Sequence, residues 1–403
     1  MRLSDYVEFN PRVTIERGKP VPFVPMEAVR PGVRWVRPTA TRMASGSGSR
    51  FASGDTLFAR ITPCLENGKI AQFVGAQSSM GSTEFFVIRA REGIADPAFV
   101  YYFSKGEELR AVAQKSMTGA TGRQRANLSA LEDFDCRFPP IHRQREIAAL
   151  LTRYDELIEN SERRIHLLEQ MARVLYQEWF VDFRFPGHEK VNCIDSALGR
   201  IPEGWEVKAV PECIDINPKV RVPRVGEKPF VPMGCLSADS MLITDVEVRE
   251  GNSGSKFQNG DTLFARITPC LENGKTGFVQ FLPSADDVAF GSTEFIVLRS
   301  KSLTPEFVYC LARSESFRGV AIKSMSGATG RQRVQEQCFG QFEIAQPTAS
   351  ALSRFSEIVG PSFRLIYQLH LEIQNLRRTR DLLLPRLLSG RAEIASAEST
   401  VGA

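Results

Sequence analysis

The 403-residue chain lacks the features that mark several common classes of protein. No stretch approaches the ~18 consecutive apolar residues of a membrane-spanning helix, and the first ten residues lack the apolar region of a signal peptide. Its eight cysteines include no Cys-x-x-Cys pair, so their spacing fits neither a zinc ribbon nor a disulfide framework. We therefore expect a protein of the reducing cytoplasm with no membrane partner.

The sequence also lacks the motifs of nucleotide-hydrolysing and methyl-transferring enzymes. A phosphate-binding loop ending at Gly274, Lys275 and Thr276 would need glycine at position 269, where the chain has proline. The triplets Asn-Pro-Arg at 10–12 and Asn-Pro-Lys at 217–219 do not match the Asn/Asp-Pro-Pro-aromatic motif of adenine methyltransferases. The four histidines are scattered without acidic partners at ligand spacing. We predict no catalytic residue, no metal site and no cofactor in this chain.

What the chain does contain is a duplication on the scale of a domain. Three blocks of the first half return in the second: 54–69 at 260–275, 81–85 at 291–295, and 115–125 at 323–333. The first pair is identical throughout, and the last pair differs only in the change from Thr118 to Ser326. A spacing of about 207 residues is far longer than the 20–50 residues of repeat arrays. The sequence therefore predicts two similar domains, each long enough to bury its own core.

A long amphipathic helix is predicted after each copy. Beyond Pro139 and Pro140, which favour a helix start, apolar residues recur at alternating steps of four and three, the heptad pattern of a coiled coil. The predicted seam of the first helix comprises Ile147, Leu151, Tyr154, Ile158, Ser161, Ile165, Leu168, Ala172, Leu175 and Trp179. The predicted seam of the second helix comprises Phe355, Val359, Ser362, Ile366, Leu369, Ile373, Leu376, Arg380, Leu383 and Leu387. Arg380 interrupts the second seam, and Pro361 and Pro385 are expected to bound its regular part.

The order domain, helix, domain, helix predicts an α+β chain in which two similar α/β domains are separated by two long helices. If the second helix packs on the first through the matching seams, it must run back, which makes an antiparallel coiled coil with pseudo-twofold symmetry. The predicted divisions are domain 1 at 1–140, the first helix at 141–185, a linker with domain 2 at 186–346, the second helix at 347–392, and a tail at 393–403. A helix from about residue 145 to 180 spans roughly 54 Å and would separate two similar binding surfaces.

Duplex DNA is a ligand that offers two like sites related by a twofold axis. The duplicated blocks carry suitable side chains, because arginine and glutamine fit base edges and lysine fits phosphates. The candidate DNA-binding residues of the first copy are Arg60, Lys69, Ser82, Thr83, Lys115, Thr118, Thr121, Arg123, Gln124 and Arg125. Those of the second copy are Arg266, Lys275, Ser292, Thr293, Lys323, Ser326, Thr329, Arg331, Gln332 and Arg333. Two alternatives stay open: the Gly-Arg-Gln-Arg segments are solvated turns, or Glu84 and Glu294 hold one of the arginines in a structural role.

Several segments resemble the specificity subunits of type I restriction–modification systems. Residues 175–188 and 198–205 are similar to the central conserved region of that family, and 380–391 to its C-terminal region. Residues 119–125, followed by the prolines at 139–140, are similar to the end of its target-recognition domains. The resemblance implies a non-catalytic subunit with two target-recognition domains, which assembles with two modification subunits and with ATP-dependent restriction subunits. It also implies that S-adenosylmethionine, ATP and Mg²⁺ bind to those partners, which methylate adenine at N6.

The chain departs from the family pattern in one place. The Pro-Glu-Gly-Trp entry to the second domain, at 202–205, has no equivalent before the first domain, so a short lead-in before Met1 is an open question. Because the repeated blocks that carry the candidate DNA-binding residues are nearly identical, we predict a largely inverted-repeat DNA target with an unread spacer. The copies diverge at 74–80 against 278–290, and contact of that loop with bases would make the symmetry imperfect.

Two other classes of function compete with this prediction. A self-contained restriction–methylation enzyme would need the motifs that are absent. A tandem module on a coiled-coil spacer, binding a ligand other than DNA, would lack the steep salt dependence of specific DNA affinity. The aromatic residues Trp179, Phe180, Phe183 and Phe185 are expected to fill a core, with docking of a modification subunit as the alternative.

Overall fold

The computed structural model describes residues 1–44, 46–120, 122–328 and 330–392. The chain forms two compact units, of which the first comprises Met1–Asn160 with Ile373–Ala403 and the second comprises Ser161–Glu372. Among the described residues, no helix is both long and apolar enough to cross a membrane. The divisions between the units fall inside the two long helices, whereas the domain limits predicted above stay predictions.

The first unit contains two β-sheets packed face to face. Its strands are β1 (Val7–Phe9), β2 (Pro20–Val24), β3 (Trp35–Val36), β4 (Ala40–Met43), β5 (Ser49–Phe51), β6 (Thr56–Ala59), β7 (Ile70–Phe73), β8 (Ser79–Gly81) and β9 (Phe85–Ala90). One sheet has the order β1-β9-β6-β7-β3 and the other β4-β2-β8-β5. All neighbours are antiparallel except β2 with β8 and β3 with β7. Leu57 and Val87 point into the core shared with the second sheet, while Phe58 and Phe86 point into the core shared with the helices. Both faces of the central strands are therefore buried, which explains their continuous apolar sequence.

Short helices cover the outer face of the larger sheet. They are α1 (Leu3–Tyr6), α2 (Pro97–Lys105), α3 (Glu107–Lys115) and α4 (Leu128–Glu132), followed by the long α5 (Ile141–Tyr176). Helix α2 begins where the Asp96 side chain accepts hydrogen bonds from the amides of Ala98 and Phe99, with Pro97 in its first turn. Its buried residues, among them Phe99 and Tyr102, pack on the sheet and join the core that α5 also enters.

The second unit repeats this arrangement. Its strands are β10 (Cys193–Ser196), β11 (Gly199–Pro202), β12 (Glu206–Ala209), β13 (Ile214–Ile216), β14 (Lys228–Val231), β15 (Glu247–Arg249), β16 (Ser255–Phe257), β17 (Thr262–Ala265), β18 (Thr276–Phe278), β19 (Ala289–Gly291), β20 (Phe295–Ser300) and β21 (Glu343–Gln346). Its helices are α6 (Val210–Cys213), α7 (Pro305–Arg313), α8 (Glu315–Lys323) and the long α9 (Ala349–Leu388). The sheet orders β13-β20-β17-β18 and β15-β14-β19-β16 match those of the first unit strand for strand, without a counterpart of β3. The predicted pair of similar mixed domains is confirmed.

The two long helices form as the heptad pattern predicts. Helix α5 continues as a short π-helical segment, Gln177–Val181, and every residue of the two predicted seams is buried or half-buried. The prediction that Pro361 and Pro385 bound the second helix is wrong, because α9 runs through both of them. A proline removes one helical hydrogen bond, and the fully buried neighbours Val359 and Phe363 hold the helix on its core on both sides of Pro361.

Within the first unit the two long helices run antiparallel. Ile147 and Leu151, early in α5, share one core with Leu384 and Leu387, late in α9. Asp155, which follows Leu151 by one turn of α5, forms an ion pair with Arg380, which precedes Leu384 by one turn of α9. The antiparallel helix packing is thus confirmed in this unit, while the pseudo-twofold symmetry of the whole chain stays a prediction. In the second unit, Trp179 and Phe180 of the π-helical segment pack on Phe355 of α9, with ring centroids 6.0 and 4.9 Å apart.

The contact of the long helices with the sheet is polar in the first unit. Arg380, only 2% exposed, pairs with the buried carboxylate of Asp155. Tyr102 donates its hydroxyl hydrogen to Asp155 over 2.5 Å and accepts a hydrogen bond from Arg34 over 3.1 Å. Burial and the nearby Asp155 raise the pKa of Tyr102, so its hydroxyl stays a donor. Arg34 also donates twice to Gln72 Oε1. Arg380, which interrupts the predicted seam, is therefore one partner of a buried ion pair.

The positions that carry this polar network hold apolar residues in the second unit. The repeat-equivalent residues of Arg34, Gln72, Tyr102, Asp155 and Arg380 are Met241, Phe278, Cys310, Phe363 and Ala172. The backbone supports this equivalence. The amide of Phe278 donates a hydrogen bond to the carbonyl of Met241, and the amide of Gln72 donates one to the carbonyl of Arg34. Phe278 and Phe363 meet edge to face with centroids 5.1 Å apart. The buried Glu169 of α5 instead accepts hydrogen bonds from the hydroxyl of Ser240 and the amide of Met241, at 2.6 and 2.7 Å. The two units thus use different residues to join the sheet to the long helices.

Candidate nucleic-acid interface

The repeated block 115–125 folds into a small hairpin after α3. Thr118 and Arg125 pair through both backbone hydrogen bonds, at 3.0 and 2.9 Å. Gly119 and Gly122 have positive φ angles of 123° and 84°, which side-chain-bearing residues rarely adopt. In the second unit Ser326 pairs with Arg333 over the same distances, and Gly327 and Gly330 have φ angles of 126° and 82°. The nearly identical sequences of the two hairpins therefore give matching backbone geometry at the described positions.

A carboxylate anchors each hairpin to the end of a strand. Arg125 donates from Nε and Nη2 to the two oxygens of Glu84, at 2.9 and 2.7 Å, and Arg333 binds Glu294 in the same way at the same distances. The hydrogen bond from Arg125 lowers the pKa of Glu84, and that from Arg333 lowers the pKa of Glu294. The alternative that these glutamates hold an arginine in a structural role is confirmed.

The second repeated arginine, Arg60 in the first unit and Arg266 in the second, has different partners in the two units. Arg60 donates from Nε to Glu84 over 3.3 Å, so it shares that carboxylate with the hairpin. Arg266 lies 3.7 Å from the carboxylate of Glu294 and donates from Nη1 to Glu336 over 2.8 Å instead. The second unit therefore uses an additional acid at the base of its hairpin.

Some of the sequence-predicted residues have internal partners in the structure. Lys69 donates from Nζ to the carbonyl of Met26 over 3.0 Å, and Lys275 donates to that of Met233 over 3.1 Å. Ser82 and Ser292 each accept a hydrogen bond through Oγ from the amide two residues later, at 3.2 Å. These contacts fix the loops, and they account for the repetition of these letters without a ligand.

Other predicted residues face solvent around the hairpins. They are Thr83, Lys115, Thr118 and Arg123 in the first unit and Thr293, Lys323, Ser326 and Arg331 in the second. Gln124 and Gln332 are half-buried, and their carbonyls accept hydrogen bonds from the amides of Thr62 and Thr268. Thr121 and Thr329 lie outside the described residues. Each hairpin thus presents an exposed arginine, Arg123 or Arg331, beside the arginine that a glutamate holds.

A cleft lies beside Arg60 and Thr83, and an equivalent cleft lies beside Arg266 and Thr293. The first cleft, of about 380 Å³, is lined by Asn10, Pro11, Arg12, Val13, Gly48, Ser49, Arg50, Arg60, Thr83, Phe85 and Val87. The second cleft, of about 460 Å³, is lined by Asn217, Pro218, Lys219, Val220, Gly254, Ser255, Lys256, Arg266, Thr293, Phe295 and Val297. Nine of the eleven matched positions are identical, and both differences replace arginine by lysine.

Sequence reasoning missed the cleft residues outside the repeated blocks. Arg12 and Arg50 lie 38 positions apart and converge only through the fold. The available signal is the recurrence of Asn-Pro followed by a basic residue at 10–12 and 217–219. The basic side chains supply hydrogen-bond donors and positive charge, which suit the binding of an acceptor-rich ligand. No group of three or more His, Cys, Asp or Glu side chains able to hold a metal occurs in the part of the chain that the structure describes.

Comparisons with known proteins agree with this architecture. The family model described as type I restriction modification DNA specificity domain matches residues 51–170. The MjaIX specificity subunit of Methanocaldococcus jannaschii is 24% identical over 311 residues, covering 73% of this chain and 69% of that protein. The HindI specificity subunit of Haemophilus influenzae is 23% identical over 404 residues, covering 84% and 86%. The EcoEI specificity subunit of Escherichia coli is 32% identical over 174 residues, but the match covers only 28% of that protein.

The fold has a counterpart among solved structures. The S subunit of a type I restriction–modification system from M. genitalium superposes with a TM-score of 0.54 at 14% identity, covering 96% of this chain and 95% of that one. The likeness to that S subunit shows that this chain shares its fold. The chain is therefore similar to type I restriction–modification specificity subunits, and its residues 51–170 match their DNA specificity domain.

Proposed function

We propose that this chain selects the DNA sequence on which a type I restriction–modification complex acts, with each unit reading one half of a bipartite target. The observation that carries the proposal is the duplicated hairpin, which has the same backbone pairing, the same arginine–glutamate anchor and the same exposed arginine in both units. Base edges in the major groove offer acceptors that such arginines recognise. The chain supplies the choice of sequence, and the chemistry belongs to its partners.

The two half-sites are proposed to be similar words in inverted orientation. The support is that the exposed side chains of both hairpins are the same apart from Thr118 and Ser326, so both present the same donors. The antiparallel course of the helices in the first unit is compatible with an inverted relation. An unread spacer would separate the two words.

The proposed partners are duplex DNA, two modification subunits that methylate adenine at N6, and ATP-dependent restriction subunits, in the cytoplasm. S-adenosylmethionine, ATP and Mg²⁺ would bind to those partners. Support for helix docking comes from Leu167, Met171 and Val174, which are 55%, 38% and 60% exposed and follow one face of α5 at helical spacing. The neighbouring Trp179 and Phe180 are buried against Phe355, so core filling is confirmed for them.

Sequencing the methylated adenines produced by the chain together with its modification subunits tests the proposal. We expect two similar short words on opposite strands at a fixed spacing. Two unrelated words would refute the inverted repeat while leaving sequence choice intact. A chain that binds DNA without sequence preference, or binds none over a range of salt concentrations, would instead favour a tandem scaffold for another ligand.

A further inference from the structure

We propose that the first and second clefts each receive a hydrogen-bond-accepting group of the DNA, and that Arg12 and Lys219 are the matched residues that contact it. This inference rests on the proposed function and adds a binding site outside the repeated hairpins. The accepting group is either the edge of a guanine or a phosphate oxygen, since arginine and lysine bind both.

The charges around the clefts favour such a ligand. Arg12 and Lys219 are exposed, and their side chains make no hydrogen bond or ion pair within the described ranges of the chain. The hairpin arginines Arg125 and Arg333, by contrast, are held by carboxylates. Arg12 and Lys219 therefore keep donors available for an incoming acceptor, next to the hairpin that the proposed function assigns to DNA.

The loop that carries each basic residue is fixed before a ligand arrives. Asn10 has a left-handed backbone with φ of 48°, and it both donates its amide to the Val87 carbonyl over 2.7 Å and accepts the Val87 amide at Oδ1 over 3.1 Å. Asn217, with φ of 51°, makes the same two bonds to Val297 at 2.8 and 2.9 Å. A proline follows each asparagine and restricts the backbone further. A contact residue on a rigid loop loses little entropy on binding.

The opposite wall of each cleft is equally constrained. Ser49 donates through Oγ to the carbonyls of Ser82 and Phe85, at 2.9 and 3.0 Å, and Ser255 donates to that of Phe295 at 2.9 Å. At Gly254 a Cβ atom would lie 1.9 Å from the carbonyl oxygen of Gly291, so only glycine permits this approach. The clefts are thus built features of the fold.

The pattern of differences indicates that both clefts bind the same chemical group. Nine of eleven lining residues are identical, and the two differences, Arg12 to Lys219 and Arg50 to Lys256, conserve charge and donor. Lysine lacks the planar fork of arginine, so the second cleft is expected to bind its group with weaker geometric selection. Each half-site then contains one equivalent position that is contacted from the cleft.

The test uses the full-length chain with its modification subunits and a pool of duplexes randomised within both half-sites. Arg12→Ala, Lys219→Ala and Arg12→Lys are compared with wild type, and Arg145→Ala, which removes an exposed arginine of α5, is the control for lost charge. Sequence selection and the dependence of affinity on salt are measured for each.

If the group is a guanine edge, Arg12→Ala reduces the preference at one position of one half-site by about 5- to 150-fold, and Lys219→Ala does so at the equivalent position of the other. If it is a phosphate, both variants weaken binding to all sequences and lower the slope of log affinity against log salt by about 1. In either case Arg12→Lys retains most of the binding. If the wild-type chain selects a sequence but Arg12→Ala and Lys219→Ala behave like Arg145→Ala in both measurements, the assignment of the clefts to DNA is overturned and the proposed function is not. A wild-type chain without sequence preference would overturn the proposed function as well.

Discussion

The buried ion pair between Asp155 and Arg380 gives the sharpest prediction about stability. Replacing Arg380 with methionine leaves the Asp155 carboxylate, itself buried, with the hydrogen bond from Tyr102 and no opposing charge from α9. Removal of one partner from a buried pair costs about 3–5 kcal/mol. For a unit of this size, each kcal/mol shifts the unfolding midpoint by about 2–4 °C, so the first unit should melt about 6–20 °C lower.

Replacing the other partner of the pair, Asp155, should reduce the stability of the first unit by less. In Asp155→Leu, Arg380 still donates to Asp381 over 3.0 Å and to the carbonyl of Gly32 over 3.2 Å, so its charge keeps a carboxylate partner. The double variant Asp155→Phe/Arg380→Ala copies the Phe363 and Ala172 combination of the second unit. Well-packed apolar residues often replace a buried ion pair without loss, but Tyr102 loses its acceptor Asp155 in this variant. We therefore expect a cost of about 1–3 kcal/mol, below that of Arg380→Met.

Urea unfolding followed by hydrogen exchange of peptides from β6 and α2 measures the first unit separately from the second. The reasoning is refuted if Arg380→Met lowers the free energy of unfolding by less than about 1 kcal/mol, because water or local rearrangement would then solvate the Asp155 carboxylate. It is also refuted if the double variant is as unstable as Arg380→Met. The peptides of α7 should exchange as in wild type, because α7 belongs to the second unit.

Three further predictions concern the interface. Arg125 lowers the pKa of Glu84 below its usual 4.5, so the ion pair between them should stabilise the hairpin above pH 4.5. This stabilisation should be lost as the pH falls through the pKa that Glu84 has in the folded protein. In the Glu84→Gln variant, hydrogen exchange of residues 115–125 should no longer show this dependence on acid. Arg123→Ala and Arg331→Ala should each weaken DNA binding and lower its salt slope by about 1 if they contact phosphates, as fluorescence anisotropy at several salt concentrations would reveal; an unchanged affinity would mean that the hairpin tips do not touch DNA. Leu167→Glu should reduce co-purification of modification subunits while the thermal unfolding of the chain alone is unchanged, since this side chain is 55% exposed; undiminished assembly would remove this face of α5 from the partner interface.

The long helices could be predicted from the sequence because their signal is local. Apolar residues at heptad spacing need no knowledge of the partner to identify a buried face. Arg380 could not be interpreted this way, since its partner Asp155 is 225 positions away and does not belong to the apolar seam. The local rule against proline in helices fails at Pro361, because packing of α9 on both sides of this residue outweighs the lost hydrogen bond.

The candidate site was predicted in part, because repetition does not reveal its own cause. Arg123 and Lys69 are equally well repeated, yet Arg123 is exposed and Lys69 donates to a backbone carbonyl. That Glu84 holds an arginine is one of the alternatives that the sequence leaves open, because a carboxylate close to repeated arginines can form an ion pair with one of them. The cleft around Arg12 could not be predicted, because it is assembled from segments distant in sequence and the two-letter repeat before Arg12 is a weak signal.

The composition of the first unit has a consequence for biosynthesis. Its core includes Leu384 and Leu387, although the rest of it lies within the first 160 residues. A ribosome makes the end of α9 more than 200 residues after the start of α5, so the earlier-made domain waits for those turns before Ile147 and Leu151 are covered. A prematurely terminated product would keep that apolar surface open to chaperones and proteases, and incomplete subunits would be removed before they reach DNA.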